Sequence, residues 1–367
     1  MASQLAKLNP ASLTRQSLHQ RFNAKAVNFL RAVLASLLGE ERHQCLEQMR
    51  FGRLLVQDSS QFWMNRKNAK HYRGVSNNSG TTAAAKLDLI MDLQSGQFID
   101  CEEVEARTQD RSLGPRLLDE VRERDLVIRD LGYFDVSGFQ SIERNGGFWL
   151  SRLHGTADVV LDNGMTLEEL LQSTKQSSLD LSVCVTAKKH QARLIAIRLP
   201  EEVANRRRQQ KKDKRIKNKT SAKKGTLIRE GWNLYISNLP AEQCPLEEVV
   251  KFYEQRWQIE IQFRAIKQST QMKKAMARIT NEHHLQALMI AAMIFATLTV
   301  RVYGWIAKTL HNPLRLSIER TAQWLSQSVT FLRSPNEPLT YDLRHLLHDR
   351  RRRKTLKELS ISLLQIN

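Results

Sequence analysis

Leu54-Leu55-Val56-Gln57-Asp58 decides the fold of this 367-residue chain. Three apolar residues between polar neighbours are too few for a buried helix, and they read as a short buried strand that ends at an aspartate. The run Leu126-Val127-Ile128-Arg129-Asp130 has the same build. Outward from the first run, residues 86–93 alternate and reach the turn Gln94-Ser95-Gly96. Residues 97–104 then run back, which makes an antiparallel hairpin. Residues 110–122 carry Leu113, Leu117, Leu118 and Val121 on one helical face. A second helix over 136–144 is stopped by Asn145-Gly146-Gly147, and Phe148-Trp149-Leu150 opens a fifth strand. Strand, hairpin, helix, strand, helix, strand predicts an α/β fold with a mixed sheet flanked by helices.

Beyond this core the texture changes. Residues 1–50 place Leu18, Phe22, Val27, Leu30 and Leu34 at helical spacing, as a small DNA-contacting or packing domain or as a helical lid. Residues 156–245 are β-prone at 182–186, 192–199 and 233–237, and read as an inserted domain. Within it, 206–224 is so rich in Arg and Lys that it reads as a mobile loop or a polyanion contact. The chain is helical again from 246 to 268, and 285–300 is an apolar run shorter than the ~20 residues of a membrane span. We read that run as a buried core helix closing a core of 51–155 and 246–310. Residues 311–367 form a basic helical end with Arg350-Arg351-Arg352-Arg353-Lys354 in a row. Asn77-Asn78-Ser79-Gly80 is a loop.

The net charge of +19 calls for a polyanionic partner. The four cysteines, Cys45, Cys101, Cys184 and Cys244, include no Cys-x-x-Cys pair and read as free thiols in a reducing cytosol. His154, His190, His283 and His284 have no metal-binding spacing, and residues 1–20 are too polar for a signal peptide.

The chemistry points to carboxylates. Asp58 and Asp130 each follow a strand, and strand ends converge at one sheet edge. On an unbroken helix at ~100° per residue, Arg256, Glu260 and Lys267 lie at roughly −60°, −20° and −40° from Tyr253. Ile259, Phe263 and Ile266 then face the core. An aromatic, an acid and two cations on one narrow face suit a charged ligand. Converging carboxylates repel unless a cation joins them, and Mg²⁺ accepts oxygen donors while leaving positions for phosphate and water.

Val56-Gln57-Asp58-Ser59-Ser60, Arg129-Asp130-Leu131-Gly132-Tyr133-Phe134, and Tyr253-x-x-Arg256-x-x-x-Glu260-x-x-x-x-x-x-Lys267 resemble transposases of the insertion-sequence-four family. The resemblance spans about 54–267. It implies an RNase H-like core with Asp58, Asp130 and Glu260 as catalytic metal ligands for two Mg²⁺ ions, which Mn²⁺ can replace. It implies cut-and-paste transposition: nicking at the inverted-repeat ends, then attack of the freed 3′-hydroxyl on target DNA. Tyr253, Arg256, Lys267 and Arg264 would contact DNA, and Trp232 would stack on a flipped base. A homodimer on DNA in the bacterial cytoplasm, associated with the nucleoid and not with membrane, follows as an expectation. An RNase H-like nuclease without strand transfer, or a non-catalytic nucleic-acid-binding protein that keeps the fold, fits the same residues.

Overall fold

Strand β1 (Leu54–Met64) does not stop at Asp58. Its apolar start is buried on both faces, and beyond it the polar residues Gln57, Ser59 and Gln61 keep the alternation going. It pairs antiparallel with β2 (Ala83–Asp92) from Leu55↔Asp92 to Met64↔Ala83. Asp58 therefore sits mid-strand, which corrects the expected strand end. β3 (Gln97–Glu105) returns through a turn in which Gly96 has φ +75°, a left-handed conformation that glycine adopts without strain.

The computed structural model describes residues 14–39, 50–75, 82–155, 157–185, 189–221, 224–269, 272–309, 316–327 and 346. The Asn77–Gly80 loop, Cys45, the basic run 350–354 and nearly all of 311–367 lie outside the described residues. In the N-terminal part, α1 (Arg15–Gln20) and α2 (Ala24–Gly39) are helical as expected.

Helix α3 (Asp110–Leu118) ends four residues before the expected 122. The reason is local: Arg53 takes the Glu120 carbonyl, and the Asp125 carboxylate takes the Arg122 N–H at 2.8 Å, so both groups are lost to a continuing helix. β4 (Leu126–Arg129), α4 (Val136–Arg144) and β5 (Phe148–Arg152) follow as read from the sequence, and Asp135 caps α4 through the Gly138 N–H.

The segment 156–245 adds β6 (Val159–Val160), α5 (Leu167–Ser173), β7 (Ser178–Val185), β8 (His190–Arg198), α6 (Glu201–Lys217), α7 (Lys224–Arg229) and β9 (Trp232–Ser237). Its strands continue one nine-stranded sheet in the order β3-β2-β1-β4-β5-β9-β8-β7-β6. β1, β4 and β5 run parallel to one another, and every other pairing is antiparallel. The basic run is not a loop as far as Lys217: it is the body of α6, with Ala204 its one buried residue. Arg, Lys and Gln are good helix formers, and Glu201 and Glu202 in the first turn with Lys214, Arg215 and Lys217 in the last complement the helix dipole. Every described residue from Lys212 to Ser221 is exposed, so the end of α6 stands clear of the body.

The C-terminal part is α8 (Leu246–Gln255), α9 (Trp257–Ser269), α10 (Met272–Met276), α11 (Glu282–Thr309) and α12 (Ile318–Gln327). The continuous helix expected from 246 to 268 is broken at Arg256, where Arg256 N–H bonds Tyr253 O and Ile259 N–H bonds Arg256 O, a tighter three-residue step. α11 is longer than its apolar run and is, by length and composition alone, long and apolar enough to cross a membrane. Here Leu285, Met289, Ile290, Met293 and Ala296 are buried, in one core with Val27 and Leu34 of α2.

Two cores cover the two sheet faces. One holds Leu54, Val56, Ile128 and Leu150 with α2, α8, α9 and α11; the other holds Leu55, Val127 and Trp149 with α3, α4 and the inserted strands. Ile128 lies on the central parallel strand and is fully buried, so Ile128→Ala is expected to lower the unfolding free energy in urea by about 2–5 kcal/mol. Ile216→Ala, at a residue 70% exposed near the end of α6, should change it by less than about 0.5 kcal/mol.

Candidate active site

Pairing between β1 and β4 runs Leu54↔Leu126, Leu55↔Val127, Val56↔Ile128 and goes no further. Asp58 and Asp130 each lie two residues beyond the last pair. The register thus runs the two segments side by side toward the acids, the ladder itself ending before either one. Alternation sends Asp58 to the face of Leu54 and Val56, the face that α8 and α9 cover. Asp130 caps the single-turn helix Leu131–Tyr133, its carboxylate accepting from the Gly132 N–H at 3.5 Å.

Helix α9 brings in the third carboxylate. Ile259, Phe263 and Ile266 bury into the core as expected, which turns Glu260 and Lys267 toward the strands. Arg256 donates to Glu260 Oε1 at 2.6 Å, and its Nε lies 3.7 Å from Asp130 Oδ1. One guanidinium therefore spans two of the three carboxylates. Lys267 Nζ donates to Ser60 Oγ at 2.7 Å, on the β1 face that also carries Asp58. Burial lowers the Lys267 pKa, and the Asp58 charge opposes that shift.

Burial pushes the Asp58 carboxyl up to about 7. The negative charges of Asp130 and Glu260 push the same way, while the Ser59 N–H, 2.8 Å away, and Arg256 pull it down. Asp58 therefore feels both of the other acids. Tyr253 is buried, edge-on to Tyr235 at 5.3 Å, and its hydroxyl has no hydrogen-bond partner among the described residues. Burial and the nearby Asp130 raise its pKa to about 12, so it is a neutral donor aimed among charges.

Two expected DNA contacts fall elsewhere. Trp232 is only 4% exposed, in the core on the opposite sheet face, and the Arg198 guanidinium lies 4.3 Å over its ring. In this conformation it has no free face for a base. Period-two alternation along β9 decides this: Trp232, Leu234 and Ile236 point one way, and Tyr235 points toward Tyr253. Arg264 lies on the outer side of α9, pairs with Glu319 at 3.5 Å, and covers Trp257 at 5.8 Å. Trp257, 47% exposed beside Arg256, is the aromatic that sequence reasoning passed over, as were Ser60, Tyr235 and Arg152, a cation felt by Tyr253.

Among the described residues no three acidic, histidine or cysteine side chains are gathered closely enough to hold a metal ion. The donor chemistry still fits a hard divalent cation: three carboxylates, mutually repelling, with a cationic side chain lodged between two of them. Cys101, Cys184 and Cys244 are free thiols.

The model of the transposase DDE domain family matches residues 50–296. The chain belongs to that family. It is 29% identical to the transposase for insertion sequence element IS231F of Bacillus thuringiensis subsp. israelensis, over 73% of this chain and 61% of the relative. It is 26% identical to the transposase for IS231B of subsp. berliner, over 95% and 78%, and 22% identical to the transposase for IS1151 of Clostridium perfringens, over 70% and 59%. The chain thus spans less than two thirds of the first and third of these relatives. A cryo-EM structure of a piggyBac transposase synaptic complex with hairpin DNA aligns at 11% identity and a TM-score of 0.48, covering 92% of this chain and 64% of that one, too slight a likeness to carry an argument.

The raised Asp58 pKa has a stability consequence. Folded Asp58 keeps its proton up to about pH 7, whereas unfolded it releases it near 3.8, so stability is lost as pH rises between those values. Without metal, Asp58→Asn should therefore raise the melting temperature above pH 7, and the gain should vanish below about pH 4.

Proposed function

We propose that this chain is the DNA-cleaving and DNA-joining enzyme of an insertion sequence, acting by cut-and-paste transposition. The observation that carries the reading is the β1–β4 register that sets Asp58 beside Asp130, with Glu260 and Arg256 facing them from the next helix. The family match adds to it, since it spans all three acids. In this reading 51–155 and 246–310 form an RNase H-like core, 156–245 is an insertion, and 1–50 and 311–367 are helical extensions. The Tyr253, Arg256, Glu260 and Lys267 pattern is taken as the insertion-sequence-four signature.

Asp58, Asp130 and Glu260 would hold two Mg²⁺ ions, or Mn²⁺, which would activate a water or a 3′-hydroxyl and stabilise the leaving oxygen. Arg256 then exchanges its carboxylate partners for a DNA phosphate, which its fork geometry can grip with two hydrogen bonds. Lys267 and Arg152 supply further positive charge along the same face, and the Tyr253 hydroxyl donates a hydrogen bond to the DNA backbone. Trp257, rather than Trp232, has an exposed ring for base stacking, next in sequence to Arg256. Outside the site, the freestanding end of α6 presents Lys212, Lys214, Arg215 and Lys217 to a duplex. The protein works as a homodimer on paired ends, in the cytoplasm at the nucleoid, with no membrane role.

Glu260→Gln is expected to cut cleavage of inverted-repeat DNA in Mg²⁺ by more than about 100-fold while duplex binding persists. Unchanged cleavage would rule out the carboxylate mechanism, and cleavage without any joined product would identify a nuclease instead. Neutralising Lys212, Lys214, Arg215 and Lys217 to Gln should flatten the plot of log affinity against log salt by about 2–4, since each phosphate contact contributes about 0.9.

A further inference from the structure

The two aspartate-bearing segments are linked on the side of the sheet away from the acids. The β1–β4 ladder stops at Val56↔Ile128, so no strand pairing holds residue 58 against residue 130. The first link beyond that point is Asp88, mid-strand on β2, opposite Ser59 and fully buried. Gln57, the neighbour of Asp58, donates from Nε2 to Asp88 Oδ2 at 2.8 Å. Tyr133, at the end of the turn that Asp130 caps, donates its hydroxyl to Asp88 Oδ1 at 2.9 Å. Both donors are about as deeply buried as the carboxylate itself.

Around Asp88 this otherwise apolar layer is polar. Arg116 of α3 pairs with Asp88 Oδ2 at 2.5 Å and also with Asp100 and Glu102. Gln57 makes a second bond to Leu113 O at 2.9 Å, and Ser59 Oγ bonds Asp110 Oδ1 at 2.7 Å. An apolar layer between α3 and the sheet would be as stable or more so, because burying charges costs desolvation that pairing often fails to repay. What the polar layer adds is direction: each carboxylate oxygen of Asp88 has a fixed donor, and the two donors belong to the two segments that carry the acids.

We infer that Asp88 is a positioning residue for the acid pair: through Gln57 and Tyr133 it fixes the separation of Asp58 and Asp130, and with it their affinity for a divalent cation. The inference rests on the metal reading given above. Asp88 itself is fully buried on the sheet face opposite the acids.

The test uses the full chain, Mn²⁺ as the probe, and electron paramagnetic resonance to count free ion. Tyr133→Phe removes one hydroxyl and leaves the ring in place. It should weaken Mn²⁺ binding about tenfold, as the loss of an outer-shell partner does, while the metal-free melting temperature moves little. Gln57→Met removes the other arm and should give a similar loss. Gln61→Leu, on the same face of β1 but bonded to Ala106 O, should leave the titration where it was. Raising Mg²⁺ should recover most of the cleavage lost in Tyr133→Phe. Titrations of Tyr133→Phe and Gln57→Met that superimpose on that of the unaltered protein overturn the positioning role alone. An unaltered protein that binds no Mn²⁺, or binds it equally well as Asp58→Asn, overturns the metal reading and the inference together.

Discussion

Three parallel residue pairs, Leu54↔Leu126 to Val56↔Ile128, are the constraint on which the rest depends. They are short because β4 is short, and β4 is short because Asp130 leaves the sheet to cap a turn. The same pairs lie at the centre of the sheet and are buried on both faces, so their register cannot slip without moving apolar side chains out of one core and into the other. Hydrophobic packing thus fixes the register of the two segments as far as Val56 and Ile128, and beyond that point the buried bonds of Gln57 and Tyr133 to Asp88 take over. The helices then add what the sheet cannot: α9 buries Ile259, Phe263 and Ile266, and so presents Glu260 and Lys267 to the strands.

Electrostatics works against stability at this edge of the sheet. Burial and the charges of Asp130 and Glu260 raise the proton affinity of Asp58, burial lowers that of the half-buried Lys267, and Arg256 relieves part of the repulsion. A neutral tyrosine hydroxyl without a partner adds to the cost. Such a concentration of unfavourable terms is common where a site is shaped for a ligand rather than for the resting fold.

Much of this was legible in the sequence, and the failures have physical causes. Elements with one dominant signal came through: the apolar triplets of β1 and β4, the capped α4 ended by Asn145, and the hairpin turned at Gly96. Asp58 was misplaced at a strand end because Gln57, Ser59 and Gln61 look like loop residues until their partners on α3 and in the loop before it are known. The basic run was read as a loop because charge density hides good helix propensity. The face shared by Tyr253, Arg256, Glu260 and Lys267 was computed on an unbroken helix, and the step at Arg256 alters it without separating Arg256 from Glu260. Trp232 shares its parity on β9 with Leu234 and Ile236, and the face that parity takes is set by sheet packing that the sequence does not display.

Helix α11 raises a question of timing during synthesis. An 18-residue window within Glu282–Ala307 has a mean hydropathy of 1.8, and this stretch leaves the ribosome unfolded and apolar. In the finished protein that stretch is packed against α2, β3, α9 and α12. Three of those four are made before it. The segments that form the surface receiving α11 are therefore mostly synthesised before it. A shortened chain lacking α2 would lose part of that receiving surface at the moment when it is most needed.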